Sequence, residues 1–311
     1  MSYIPVKVDI SDALPTDITE GTRIEIAAWV FPATGGPPPT PSAIALLNGG
    51  SYDKRYFHFE VPGRRDYSAA EALAARGHVV ILLDHLGVGE SSRIPTQMKA
   101  TRQVCALANH AAVSEIFSRL KEGTLDPVFS AMPQLLKVGG GHSMGGFQTI
   151  TQQAGHATYD RVLVLGYTAI GVHLTFDGAQ VPAQRPLDPA MGDYWLLDHS
   201  AIAESFHWDD VPRDVLAVDE ALAVEVPALL SNQSITMGIV SQDAGRIAVP
   251  VYICLGERDV SPRPHDEPGF YKSSPDVTLH ILPRSGHCQS FASTRMTMID
   301  RIDGWIRGIP A

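Results

Sequence analysis

A serine held between glycines, a histidine far downstream and a carboxylate between them are sufficient for acyl transfer once a fold brings them together. The serine is Ser143, in Gly141-His142-Ser143-Met144-Gly145-Gly146. An apolar, strand-like segment precedes it and a helical one follows, so Ser143 falls on a strand-to-helix turn. A serine on such a turn adopts a strained backbone, and Gly141 and Gly145 keep side chains out of the crowded space around it. The turn projects Oγ above the sheet. The helix N-terminus then offers backbone N–H groups and a positive field to an oxyanion, with the Met144 N–H as the first donor.

A hydroxyl needs a general base, and His287 in Ser285-Gly286-His287-Cys288 lies after one strand-like run and before a helical one. The chain has 12 histidines. His142 adjoins the serine but is expected to point away, as neighbours on a tight turn do; His85, His110, His173, His199, His207 and His265 stand as weaker candidates. For the acid, Leu255-Gly256-Glu257-Arg258-Asp259 presents Asp259 at a loop start, 28 residues before His287. Its task is to hold the imidazole tautomer and stabilise the imidazolium. Glu257 is the nearest competitor, whereas Tyr167-Thr168-Ala169-Ile170, after the preceding strand, holds no carboxylate. A second oxyanion donor is expected from Asn48-Gly49-Gly50-Ser51, with Gly50 as the candidate, because backbone approaches a substrate closely where there is no side chain. A plain β-to-α turn would use the same glycines.

These residues need a scaffold. Ile4–Ile10 and Arg23–Phe31 alternate as two antiparallel strands, and Gly35-Gly36-Pro37-Pro38-Pro39 marks an exposed connection, not a docking ligand. From Ala43 the pattern changes to short, continuously apolar strands separated by helices, as in βαβ units around a buried parallel sheet. The strands are expected at 43–47, 78–84, 135–139, 161–166, 249–256 and 277–282, and the helices at 67–76, 102–121, 144–155 and 291–306. Phe291, Met298, Ile302 and Trp305 share one face of the final helix. About eighty residues separate the strands ending near Gly166 and starting near Val249, too many for a plain crossover. They hold Met191, Tyr194, Trp195, Phe206, Trp208 and Met237 beside Pro182, Pro186 and Pro189, as a small, mainly helical cap with irregular loops would. The expected division is a core of 1–167 and 249–311 with a cap or lid at 168–248.

Composition narrows the partners. A net charge of −10 with no Lys/Arg run argues against nucleic-acid and anionic-membrane surfaces, which need clustered cations. A neutral small molecule fits better, and the sequence does not specify the oligomeric state. Cys105, Cys254 and Cys288 form no C-x-x-C pattern, and a reduced compartment suits them. The first residues lack the charged and apolar regions of an export signal, and no apolar run approaches the roughly 20 residues needed to cross a bilayer, so a cytoplasmic location is expected. No H-E-x-x-H or comparable metal-ligand spacing occurs, and the chemistry needs no metal or organic cofactor.

Taken together, Asn48-Gly49-Gly50, Asp84-His85-Leu86-Gly87-Val88-Gly89-Glu90-Ser91, Gly141-His142-Ser143-Met144-Gly145-Gly146, Gly256-Glu257-Arg258-Asp259 and Gly286-His287 resemble the α/β-hydrolase superfamily, from about Ala43 onward. The resemblance implies an α/β fold with a mostly parallel sheet of about eight strands flanked by helices, a cap between the sixth and seventh strands, and the chain order serine, acid, histidine. Where many relatives carry His-Gly, this chain has Asn48-Gly49. Serine at the elbow sets it apart from relatives with aspartate there, such as haloalkane dehalogenases and most epoxide hydrolases. The implied function is hydrolysis of a small, largely apolar carboxylic ester through an acyl-enzyme. Lactonases, C–C bond hydrolases and thioesterases use the same residues, and a non-catalytic ligand-binding protein is a further alternative.

Overall fold

The computed structural model describes residues 3–36, 38–183 and 192–308. Among the described residues twelve strands are formed: β1 (Ile4–Asp9), β2 (Glu25–Phe31), β3 (Ser42–Leu47), β4 (Val79–Leu83), β5 (Leu136–His142), β6 (Arg161–Leu165), β7 (His173–Phe176), β8 (Ala179–Pro182), β9 (Tyr194–Trp195), β10 (Val226–Pro227), β11 (Val251–Gly256) and β12 (Val277–Leu282). Eight of them build one sheet in the order β1-β2-β4-β3-β5-β6-β11-β12. The pairs β1/β2 and β2/β4 are antiparallel, and the others are parallel.

The apolar runs of the parallel strands are continuous because both sheet faces are buried. Along β3, Ala43, Ala45 and Leu47 join one core with Ile81 of β4 and Val164 of β6, while Ile44 and Leu46 join the other with Leu82 and Leu165. That alternation is the two-residue period of a strand. The helices Arg102–Glu122 and Met144–His156 cover the first face through Cys105, Ile116, Phe147 and Ile150, and Ala69–Ala74 and Arg295–Gly308 cover the second through Leu73, Met298 and Ile302. The ends follow from local chemistry. Thr101 Oγ1 accepts from Val104 N–H at 3.3 Å, and Gly123 ends that helix in the left-handed conformation, φ 72°.

Two of the expected elements differ most in their bounds. The final helix starts at Arg295 instead of Phe291, because Gln289–Phe291 forms a separate 3-10 turn and Thr294 Oγ1 donates to the Pro283 carbonyl at 2.7 Å. Strand β5 runs on to His142 at the elbow, because it pairs with β3 on one side and β6 on the other.

The long segment between β6 and β11 carries the helices Ala203–Phe206, Arg213–Ala221, Ala228–Ser234 and Ser241–Arg246. It also carries two small antiparallel pairs, β7/β8 and β10/β9. Pro186, Pro189 and Met191, expected within it, lie outside the described residues, as does Pro37 of the proline cluster. Among the described residues no helix is long and apolar enough to cross a membrane.

Candidate active site

The elbow is enforced by backbone crowding. Ser143 has φ 54° and ψ −120°, a region that costs a non-glycine residue about 1–3 kcal/mol and persists only when its surroundings fix it. Ser143 N–H donates to Leu165 O of β6 at 2.9 Å, and Phe147 N–H returns to Ser143 O at 3.0 Å. A Cβ on Gly145 would lie 2.0 Å from Leu47 O, and one on Gly141 would lie 2.4 Å from Gly145 C. Neither position has room for a side chain. The strand end, the turn and the first helical residue therefore lock into one arrangement, with Ser143 partly open and its surroundings buried.

The three residues singled out from distant segments meet there. His287 Nε2 lies 2.9 Å from Ser143 Oγ, and His287 Nδ1 lies 2.7 Å from Asp259 Oδ1. An ionised carboxylate only accepts, so the ring proton belongs on Nδ1 and Nε2 is left to accept from the serine hydroxyl. Asp259 is itself fixed by three donors: Val260 N–H to Oδ1 at 2.7 Å, Gly256 N–H to Oδ2 at 2.7 Å and Gln289 Nε2 to Oδ2 at 3.0 Å. Glu257, the competing acid, turns outward, where its carboxylate accepts from Arg284 N–H at 2.8 Å. Of the other histidine candidates, His85 Nε2 bonds Asn48 O at 2.9 Å, and burial pushes its pKa down to about 4. His207 Nε2 bonds Asp219 at 2.9 Å.

A family model described as the alpha/beta hydrolase family matches residues 44–295, the span that holds every residue of this arrangement. The chain belongs to that family. No curated protein is detectably similar in sequence. Among solved structures, the chain is similar to a soluble variant of monoglyceride lipase from Saccharomyces cerevisiae in complex with a substrate analogue, at TM-score 0.67, 14% identity and 92% coverage of both chains. It is also similar to an esterase from Exiguobacterium antarcticum, at TM-score 0.64 and 16% identity, covering 93% of this chain and 98% of the other. A thermophilic esterase from Thermogutta terrifontis gives TM-score 0.61 and 16% identity, with 99% of each chain covered. At such identities the likeness is one of fold.

Around the serine of this hydrolase, the loop after β3 passes directly over the elbow. A Cβ on Gly49 would be 3.3 Å from Ser143 Cβ, and one on Gly50 would be 3.9 Å from Met144 Cβ. Gly50 and Met144, the two expected oxyanion donors, are thus neighbours. Asn48, standing where relatives have His, closes this loop by donating from Nδ2 to Tyr52 O and, at 3.2 Å, to Gly49 O. His142 does point away from Ser143 Oγ: its Nε2 donates to His287 O at 2.8 Å, and its ring stacks on Tyr56 at 4.6 Å. Burial and the neighbouring His287 hold His142 well below the usual histidine range, so its ring is a neutral donor to the His287 carbonyl. Gln289 and the bond made by His142 escaped sequence reasoning. Both act through partners distant in sequence and carry no local signature. Among the described residues, no cluster of three or more His, Cys, Asp or Glu side chains is arranged as metal ligands.

Proposed function

We propose that this hydrolase is a serine carboxylic ester hydrolase acting on a small, largely apolar ester. The observation that carries the reading is the continuous relay Asp259–His287–Ser143, with bonds of 2.7 and 2.9 Å, built on a strained elbow at a helix N-terminus. In the first half-reaction Ser143 Oγ attacks the carbonyl carbon while its proton passes to His287 Nε2. The oxyanion accepts from the Met144 and Gly50 N–H groups. His287 then gives the proton to the leaving alkoxide, and the alcohol departs from an acyl-enzyme. In the second half-reaction His287 takes a proton from water, hydroxide oxygen adds to the acyl carbon, and the proton returns to Ser143 as the acid leaves. Asp259 stays ionised throughout and stabilises the imidazolium.

The preference for an apolar substrate is supported by Phe206, whose ring centroid lies 5.3 Å from that of His287. We take 168–248 as a cap on a core formed by 1–167 and 249–311. The test is hydrolysis of p-nitrophenyl esters from acetate to long chains, with wild type and Ser143→Ala, beside labelling by a fluorophosphonate. Ser143-dependent turnover with a chain-length optimum is expected. Unchanged turnover in Ser143→Ala overturns the nucleophile; stoichiometric labelling without ester turnover moves the substrate to a lactone, thioester or C–C bond.

A further inference from the structure

The loop that offers Gly50 is held by the cap as well as by the core. Ser51, immediately after Gly50, has φ 62°, a left-handed conformation that serine adopts at a cost, and is fully buried. Both of its oxygens accept from the segment between β6 and β11: Leu197 N–H donates to Ser51 Oγ at 3.0 Å, and Val224 N–H donates to Ser51 O at 3.0 Å. The next residue, Tyr52, is 1% exposed and sends its hydroxyl 2.7 Å to Asp219 Oδ1, on the helix Arg213–Ala221. Asp219 is buried and has the second oxygen bound by His207 Nε2 at 2.9 Å, with His199 Nδ1 at 3.5 Å. A buried ion with several partners is rigid, because any displacement leaves charge and donors unpaired. From the core, Asn48 donates to Gly49 O and Tyr52 O, His85 bonds Asn48 O, and the Tyr52 hydroxyl lies 3.5 Å from Cys288 Sγ; the bonds to the Ser51 oxygens and the bond to Asp219 are what the other segment adds.

The geometry points to Tyr52 and Asp219 as positioning residues that set the oxyanion loop from the cap, so that the second oxyanion donor is in place only while the helix Arg213–Ala221 is seated. This rests on Ser143 being the nucleophile. Removing one donor of such a site costs about a hundred- to a thousand-fold in kcat, and a loop that is loosened but present loses a fraction of that. A positioning role acts on the transition state, so kcat falls while KM holds.

The experiment compares Tyr52→Phe, which deletes one hydroxyl, and Asp219→Asn with Asp214→Asn. The last breaks a different tie of the same helix, the ion pair of Asp214 with Arg64 at 2.8 Å, and leaves the loop untouched. With p-nitrophenyl acetate, Tyr52→Phe and Asp219→Asn are expected to lower kcat about tenfold with KM within threefold of wild type, and to slow fluorophosphonate labelling equally. Hydrogen exchange of the peptide covering 48–52 should quicken in both, and Asp214→Asn should change none of these. Unchanged kcat and exchange in Tyr52→Phe overturn the inference, as does an equal fall in Asp214→Asn, which would mean general loosening of the cap. A wild-type protein that is not labelled at Ser143 overturns the functional reading instead, and exchange at 48–52 still tells whether the strut exists.

Discussion

Replacing Asp259 by Asn exchanges one oxygen for an NH2 group and leaves the side-chain volume almost as it is, yet the site has no orientation that accepts it. With the NH2 at the Oδ2 position, it faces two donors, Gly256 N–H and Gln289 Nε2, at 2.7 and 3.0 Å. Gln289 cannot turn its amide to compensate without giving up its 2.9 Å bond to Cys254 O. With the NH2 at the Oδ1 position, it faces Val260 N–H at 2.7 Å and drives His287 to accept at Nδ1, so that the ring proton moves to Nε2 and the serine loses its base. Either way a buried N–H is left unmet, at a cost of about 1–3 kcal/mol in stability. The second orientation gives the wrong tautomer, which in a serine protease lowers kcat by about ten-thousand-fold, or roughly 5 kcal/mol in the barrier. The assay is steady-state hydrolysis of a p-nitrophenyl ester together with a thermal melt. Expected are a kcat reduced by three to four orders of magnitude and a melting point a few degrees lower. A variant that keeps more than a tenth of wild-type kcat, while Ser143→Ala is inactive, refutes the assignment of Asp259 as the acid.

Three further outcomes are expected. Gly145→Ala puts a methyl 2.0 Å from the Leu47 carbonyl and should abolish soluble expression, whereas Gly155→Ala, in the same helix with nothing within 4 Å, should stabilise by about 0.5–1 kcal/mol; equal behaviour of the two in a melt contradicts the crowding argument. Burial raises the Asp219 pKa, but its pairing with the nearby His199 and the hydrogen bond from His207 outweigh it, leaving a value of about 2 against an ordinary 3.8. A depressed carboxylate stabilises the fold fully above its unfolded pKa and loses that contribution as pH falls from about 4 through about 2, here about 2 kcal/mol. Urea unfolding should therefore show the gap between wild type and Asp219→Asn narrowing as pH drops from 5 toward 2.5, and a constant gap speaks against the pairing. Finally, Cys105, Cys254 and Cys288 are buried, and burial raises all three thiols, that of Cys105 to about 12; a thiol reagent should find none in the native protein and three after denaturation.

Ser143 could be picked out because the elbow writes its crowding into the sequence, glycine being compulsory at 141 and 145 where other residues collide with backbone, whereas His287 and Asp259 were read only from their places after strands. The parallel strands were legible for a similar reason, since burial on both faces demands unbroken apolar runs. The pairs β7/β8 and β10/β9 were not expected. β8 is fully exposed, and β9 and β10 have two residues each, too short to show a period. Phe291 misled on where the final helix begins, because a buried aromatic at helical spacing looks the same whether it sits in the first turn of a helix or in a 3-10 turn before it. The bond from Tyr52 to Asp219 spans 167 residues, and nothing local marks either end.

The 144-residue separation between Ser143 and His287 also has a meaning in time. A ribosome delivers the chain in order at about 5–20 residues per second, so the serine is made on the order of ten seconds before its base. Strands β3 and β5 precede the serine and β6 follows shortly after it, whereas β11 enters the sheet beside β6 only after the long intervening segment has emerged. On the proposed reading, for most of that interval the nascent chain carries the elbow serine without its base. On that reading, fluorophosphonate labelling should first appear when the loop after β12 brings His287 to the elbow, so its onset would report folding of the whole sheet.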